Sequence, residues 1–261
     1  FLNNDKDIIN DPFFIYSNIL FKNFSNLKNV SRNMNEYYLC DFIVNFLTTN
    51  YNKISLNLDP SILDIRPFLW HNYSGYKKKF NLNLKFTSYL NISKLKKKET
   101  ENDFFENLKN DKKTIIRNAI KKECRVSFTK KYDQLLNLYK KLVKLNNIDI
   151  KNSELNSLKL LLDNSLKRND SIIANVYDGK AVVYSTMYFW DNKRAYYFLG
   201  AGDKNLNKWH STFCHYEMFK YLAKNTNISY IDLEGINSPL RGNNKLGYGG
   251  EIKIYYNLEL L

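Results

Sequence analysis

Cysteine, histidine, proline and glycine are all scarce in this chain of 261 residues, which contains three cysteines, three histidines, four prolines and nine glycines. The cysteines and histidines show none of the short spacings that are typical of metal sites. We therefore expect no bound metal. Three widely separated cysteines also fit reduced thiols in a cytoplasmic protein better than a disulfide framework.

Long apolar runs are missing as well. None approaches the roughly 20 residues that cross a bilayer, so we expect no integral membrane segment. A hydrophobic content of 44% with 15% aromatic residues nevertheless predicts a globular protein with a substantial core. Because the chain starts with Phe1 and not with methionine, we expect an N-terminus trimmed from a longer product.

Acidic residues are in deficit, with 26 against 40 lysines and arginines, which gives a formal net charge of +14. This excess has two interpretations. It could attract RNA, nucleotide phosphates or an anionic membrane. It could equally be a general abundance of lysine that forms no site, because a clustered basic patch, and not a mere excess, indicates nucleic-acid binding.

Hydrophobic periodicity predicts an α+β protein with a mixed sheet and flanking helices. The Asp178–Gly179 pair is the strongest hairpin signal in the chain. The first 25 or so residues are predicted to be an irregular arm, and the charged stretch 92–111 to be a joint between two halves. The predicted helices are 36–49, 104–122 (bent near Asn110), 132–146, 153–168 and 211–224; the predicted strands are 53–58, 81–90, 125–128, 171–177, 181–190, 194–199, 229–233 and 251–256.

Five of the nine glycines lie within residues 230–250, where the sequence is YIDLEGINSPLRGNNKLGYGG. Glycine permits positive φ and close approach of the backbone to another surface. A glycine-poor chain that concentrates glycine beside Asp232, Glu234, Asn237, Arg241 and Lys245 is therefore predicted to shape a site there. The alternative is a pair of ordinary turns that connect strands.

The order of elements resembles the GNAT acyltransferase fold, and three motifs are similar to those of its FemAB-type branch. They are FLGA at 198–201, ahead of a helix that carries His215; DLEG at 232–235, similar to the family's strand end; and NKLGYGG at 244–250, similar to the family's Phe-Lys-x-x-Phe-Gly-Gly. The segment 64–73, DIRPFLWHNY, is similar to segments of acyltransferases that act on envelope sugars.

This resemblance implies two GNAT-like halves, which we place at residues 1–97 and 98–261. It also implies a cytoplasmic N-acyltransferase that acts on an amine of a cell-envelope sugar or peptidoglycan precursor, such as a nucleotide sugar. Aminoacyl-tRNA is the donor of FemAB-type enzymes, and relatives use acyl thioesters such as acyl-CoA. The oligomeric state is not implied.

Two departures from the family pattern bear on the donor. Asn244 stands where the family has phenylalanine. The connection 200–209, GAGDKNLNKW, lacks the Gly-rich pattern with which GNAT proteins bind the pyrophosphate of acyl-CoA at a helix start. A competing hypothesis is therefore a degenerate, non-catalytic GNAT-fold module that binds a glycan, RNA or a partner protein.

The resemblance places the family's functional lysine at Lys245, whose ammonium could stabilise an oxyanion; a solvated surface lysine is the alternative. Glu234 and Asp232 are the other predicted catalytic residues, and they share a face if the strand of Asp232 continues that far. Such a carboxylate could accept the amine proton or bind sugar hydroxyls, and the alternative is an aspartate that caps the turn or pairs with Arg241. The predicted substrate-binding residues are Asn237, Arg241, Tyr248, Arg66, Trp70, His71 and Tyr73. The predicted donor-binding residues are Leu199, Gly200, Ala201 and His215.

These predicted binding residues could also have purely structural roles. Arg241 could form a structural salt bridge instead of contacting phosphate. The group from Arg66 to Tyr73 could be a loop that its aromatic side chains attach to the core. His215 could serve packing alone.

Overall fold

A computed structural model describes residues 2–4, 6–10, 13–17, 19, 21, 26–203 and 207–261. The chain forms two compact units, one made of Phe1–Thr87 with Ile252–Leu261 and the other of Ser88–Glu251. The strands of the described chain are β1 (Leu2–Asn4), β2 (Asp7–Ile9), β3 (Lys53–Asn57), β4 (Asn81–Asn91), β5 (Arg125–Thr129), β6 (Ser171–Asp178), β7 (Ala181–Trp190), β8 (Ala195–Gly202), β9 (Tyr230–Asp232) and β10 (Glu251–Leu260).

The helices alternate with these strands. They are α1 (Asn29–Asn50), α2 (Arg66–Trp70), α3 (Lys98–Glu106), α4 (Asn110–Lys121), α5 (Asp133–Leu145), α6 (Asn152–Lys167), α7 (Lys208–Asn225) and α8 (Pro239–Leu246), with a 3₁₀ turn at Ser93–Lys96. The predicted α+β class with mixed strand pairing and flanking helices is confirmed.

The first unit contains strands in the order β1-β2-β3-β10, followed by the start of β4. Strand β3 runs parallel to β2 and antiparallel to β10. Alternating residues of β3, Ile54 and Leu56, are buried together with Phe68 and Leu258. This alternation is what the half-buried strand pattern predicts.

The second unit contains the end of β4 followed by β9-β8-β7-β6-β5. Among the described strands of this unit, only the β8–β9 pair is parallel; the other neighbours are antiparallel. Strand β6 is buried along almost its whole length, and helix α7 contributes Met218, Phe219 and Leu222 to the same core.

Four predictions about the elements differ from the structure. The N-terminal arm contains β1 and β2, and the predicted bent helix is two helices, α3 and α4. The segment before Gly247, for which no helix was predicted, contains helix α8. The boundary at 97/98 also differs from the division into units, because β4 belongs to both units and β10 returns the end of the chain to the first. Strand β10 returns to the first unit because it pairs with β3, which is distant in sequence. Local sequence patterns do not predict such a pairing.

Candidate active site

Lys245 and Glu234 lie close enough in the second unit for their charges to influence each other. Lys245 lies near the end of helix α8, and its Nζ donates a hydrogen bond to the carbonyl oxygen of Gly235 at 3.3 Å. Its ammonium also lies 5.0 Å from the centre of the Tyr197 ring. Both partners are half-buried. The structure therefore brings two of the three predicted catalytic residues together.

Asp232, the third predicted catalytic residue, supports the turn that carries Glu234. It is the last residue of β9 and is fully buried, and its Oδ1 accepts a hydrogen bond from the Glu234 backbone N–H at 2.9 Å. Glu234 has a φ of 61°, a left-handed conformation that costs a residue with a Cβ free energy. The two carboxylates do not share a strand face, because the strand does not continue that far: β9 ends at Asp232.

Helix α8 places Lys245 against this turn. Ser238 and Pro239 begin the helix, and a serine followed by proline at the first helical position is a common helix start. Gly242 lies so close to the turn that a Cβ on it would be 2.7 Å from the Ile236 carbonyl oxygen. Only glycine fits this approach without a backbone shift.

Burial moves the pKa values of the pair in opposite directions. It raises the pKa of the Glu234 carboxyl well above its usual range, against the attraction of the Lys245 ammonium. It lowers the pKa of Lys245, against the attraction of Glu234 and Asp232. The two pKa values therefore lie closer together than those of a solvated glutamate and lysine, and transfer of a proton between the groups costs less free energy.

His215 lies at the centre of a tyrosine network. The Tyr184 hydroxyl is 3.0 Å from its Nε2 and the Tyr188 hydroxyl is 2.8 Å from its Nδ1. A neutral imidazole has one donor and one acceptor nitrogen, so one hydroxyl donates to the ring and the other accepts from it. Burial, followed by the charges of Lys112 and Lys245, lowers the pKa of His215 to about 3.

Gly200 completes this network from strand β8. A Cβ there would be 2.5 Å from the Tyr184 hydroxyl and 2.6 Å from the Tyr197 hydroxyl. Burial raises the pKa of Tyr197 to about 12, so its phenol stays protonated at neutral pH. The predicted donor-binding residues Gly200 and His215 thus lie close to the same phenol groups.

Strand β8 has an open end beside this network. In the described chain it pairs with β9 only at Ala195 and Tyr196, although it continues to Gly202. On its other side the pairing with β7 shifts register between Met187 and Tyr188. Leu199, Gly200 and Ala201 lie beyond the last pair with β9; Leu199 and Gly200 are half-buried and Ala201 is buried.

A second lysine, Lys112 of helix α4, was not predicted. It is buried, and its Nζ donates to Asn244 Oδ1 and, at 3.3 Å, to Thr212 Oγ1. Its ammonium lies 4.4 Å from the centre of the Tyr248 ring. Asn244, which stands where the FemAB-type motif has phenylalanine, therefore accepts a hydrogen bond from a buried lysine. Nothing in the polar sequence around Lys112 signals its burial.

The buried Lys112 is expected to make the free energy of unfolding depend on pH. Burial lowers its pKa to about 8 from the usual 10.5. Between these values an unfolded chain binds more protons than the folded one, so the free energy of unfolding rises with pH there. Replacing Lys112 with methionine removes this dependence. The free energy of unfolding of the variant minus that of the wild type should therefore be largest below pH 8. This difference should fall by up to about 3 kcal/mol by pH 10.5.

Urea unfolding across this pH range measures that difference. Lys121→Met is the matched control, because Lys121 is exposed at the end of the same helix. A difference between the Lys112 variant and the wild type that stays constant with pH would contradict the prediction.

The remaining predicted residues of the second unit divide by exposure. Asn237 and Arg241 are exposed. Arg241 is close enough to Lys245 for its charge to lower the pKa of that ammonium. Tyr248 is buried and packs edge-on against Phe219 at 5.2 Å between ring centres. Its ring faces Lys112 and belongs to the core, while its role in substrate binding stays a prediction.

The other predicted substrate-binding residues belong to the first unit. Arg66 forms a two-point contact with Asp64, with Nε to Oδ1 at 2.8 Å and the second nitrogen to Oδ2 at 2.6 Å. Its guanidinium also stacks on Trp70. His71 is half-buried against Phe80, and Tyr73 is exposed. Trp70 is half exposed on helix α2, so neither Trp70 nor Tyr73 attaches a loop to the core, and contact of these residues with substrate stays a prediction.

Metal binding finds no geometric support in the described chain, where no three His, Cys, Asp or Glu side chains cluster closely enough to hold an ion. Among the described helices, none combines the length and apolarity of a bilayer-spanning segment. Residues 204–206 of the predicted donor loop lie outside the described residues.

Comparisons by sequence give no assignment. The chain matches no family model, and no curated protein matches it. Comparison of the structure does find similar folds. FemX matches with a TM-score of 0.64 at 11% identity, over 95% of this chain and 82% of FemX.

The chain shares the fold of FemX. Two further structures agree. The C-terminal domain of an Agrobacterium fabrum protein assigned as a lysylphosphatidylglycerol synthetase matches at a TM-score of 0.56 and 9% identity, over 85% of this chain and 72% of that one. A tandem GNAT protein from the clavulanic acid pathway matches at 0.52 and 8%, over 86% and 68%. The predicted GNAT-like, FemAB-like fold is confirmed as a fold.

Proposed function

We propose that this protein is an N-acyltransferase. It transfers an acyl or aminoacyl group, from a thioester or aminoacyl-tRNA donor, to an amine of a cell-envelope sugar or peptidoglycan precursor in the cytoplasm. The observation that carries the proposal is the Lys245–Glu234 pair, whose pKa values are shifted in opposite directions by burial. The FemX-like fold supports the same class of reaction.

The chemistry follows from what acyl transfer to an amine requires. The amine attacks the donor carbonyl directly, loses a proton and produces a tetrahedral oxyanion before the leaving group departs. Glu234, with its raised pKa, is the base that accepts this proton. Lys245, held on α8 by the Gly235 carbonyl, supplies positive charge to the oxyanion.

The donor is proposed to lie along the open end of β8. Its carbonyl would approach Gly200, next to the phenol groups around His215. The names of two fold neighbours are compatible with transfer of an aminoacyl or an acyl group, because one is assigned as a lysylphosphatidylglycerol synthetase and the name of the other, a GNAT protein, mentions AcCoA. The exposed Arg241 is proposed to bind a phosphate of the acceptor.

The direct test is an acyl-transfer assay with purified protein. Acyl-CoA or charged tRNA is combined with amino-sugar nucleotides, and products are identified by mass spectrometry. Formation of an N-acylated sugar is the expected result. Failure of every donor–acceptor pair would overturn the proposal.

A thermal-shift screen distinguishes the enzyme from a binding module. Ligands that bind only the folded state raise the melting temperature. We expect stabilisation by a donor and by an acceptor. Stabilisation by a glycan alone, without a donor that binds, would favour the non-catalytic module.

A further inference from the structure

Helix α1 presents a row of large apolar side chains to solvent. Val30, Met34, Tyr38, Phe42 and Phe46 follow one another at intervals of four residues, and their exposed fractions are 71, 49, 59, 69 and 52%. Residues four apart are neighbours on a helix surface, so the five side chains form one continuous ridge. We call this row the α1 ridge.

The start of α1 has little support from its own unit. The buried residues of the helix are Cys40, Val44 and Leu47, all in its second half. Residues 26–35 are exposed without interruption. Helical turns that pack against nothing are only marginally stable in water. The first two turns of α1 would therefore be stabilised by a surface from outside the unit.

Charge argues against nucleic acid or an anionic membrane as that surface. The 22 residues of α1 carry one basic and two acidic side chains, Arg32, Glu36 and Asp41, within a chain whose net charge is +14. Anionic partners are bound by clustered lysine and arginine, which this helix lacks. Two copies of a strongly basic protein, by contrast, repel each other least where their surfaces carry little positive charge.

We propose that the α1 ridge is the contact surface between two copies of this chain, independently of the proposed function. Ridges made of residues four apart pack into the matching grooves of a second helix, which is the commonest helix packing. A two-fold axis near Tyr38, the middle of the ridge, sets Met34 of one copy against Phe42 of the other. The same patch then serves both copies, as two-fold dimers require.

The area fits a dimer of moderate stability. A buried aromatic side chain covers roughly 150–250 Å², and three aromatic residues of the ridge are more than half exposed. With Val30 and Met34, each copy would bury on the order of 500 Å², so the dimer buries about 1,000 Å², near the lower limit for specific interfaces.

Sedimentation equilibrium over about 1–100 µM protein tests the proposal by mass action. The wild type is expected to approach twice the monomer mass at the upper end. Phe42→Glu is expected to weaken dimerisation at least about tenfold, because a charge would be buried without a partner. Leu160→Glu is the control, since Leu160 is 63% exposed on α6 and lies off the ridge. Its mass should equal that of the wild type.

Disulfide cross-linking tests the two-fold geometry. Tyr38→Cys lies beside its own equivalent at the axis and is expected to form a cross-linked dimer under mild oxidation. The two copies of Val30→Cys lie about 24 Å apart in this antiparallel arrangement and should not cross-link. Circular dichroism establishes that each variant is folded.

Two results would overturn the proposal. One is a monomeric wild type at every concentration. The other is a wild type that stays monomeric but co-sediments with vesicles of anionic and neutral phospholipid, with Phe42→Glu abolishing that binding, which would assign the ridge to a membrane. Cross-linking of Val30→Cys but not of Tyr38→Cys would overturn the two-fold geometry.

Discussion

Replacing Lys245 with alanine is expected to lower the rate of acyl transfer by about 10²-fold or more, mainly through kcat. Removing one group that stabilises an oxyanion costs about this much in other acyl-transfer enzymes. The charge is effective here because the side chain is half-buried beside Tyr197, where water screens it less than at the surface. Steady-state kinetics with the donor–acceptor pair found by the transfer assay measure the loss.

Lys180→Ala is the matched control for that experiment. Lys180 belongs to the same unit but is exposed at the hairpin between β6 and β7. The control should keep the wild-type rate. Wild-type turnover by the Lys245 variant would refute its role, while a loss confined to KM would assign Lys245 to binding instead.

Acid is expected to destabilise this protein through His215. The pKa of this histidine is about 3 in the folded chain, against an ordinary value of 6.5. Between these values the unfolded chain binds more protons, so the free energy of unfolding falls as the pH drops from 6.5 towards 3. The contribution is complete above pH 6.5, and its loss amounts to up to about 5 kcal/mol.

His215→Gln separates this effect from the protonation of carboxylates. The glutamine amide can donate to one tyrosine hydroxyl and accept from the other, but it does not titrate. Urea unfolding of both proteins at pH values between about 7 and 3 should show a shallower decline for the variant. Equal declines would mean that the pKa of His215 in the folded chain is the ordinary one and that the prediction is wrong.

The local patterns predicted most elements of the second unit. Strands β6, β7 and β8 and helices α5, α6 and α7 all lie close to the predicted positions, because alternation and helical periodicity are local properties. Helix α8 was missed, although Ser238 and Pro239 give the start signal of a helix. The glycines within and after this segment favour turns instead.

Within the candidate site, the sequence indicated residues but not their states. Glu234 and Lys245 were singled out together, but Asp232 and Glu234 do not share a strand face, because β9 ends at Asp232 and the turn after it places Glu234 at positive φ. Lys112, Tyr184 and Tyr188 were missed. Each lies on an element far along the chain from 230–250, and only packing brings them to His215 and Asn244.

The amino-acid sequence by itself determined the α+β class and the scarcity of metal-binding residues, and it predicted a candidate site in the segment 230–250. These follow from composition and from spacing between near neighbours. The tertiary structure alone decided that β10 returns to the first unit, that Lys112 is buried against Asn244 and that His215 stays neutral between two tyrosines. The physical reason is desolvation, because a shifted pKa requires water to be excluded by side chains from elements that are distant in sequence.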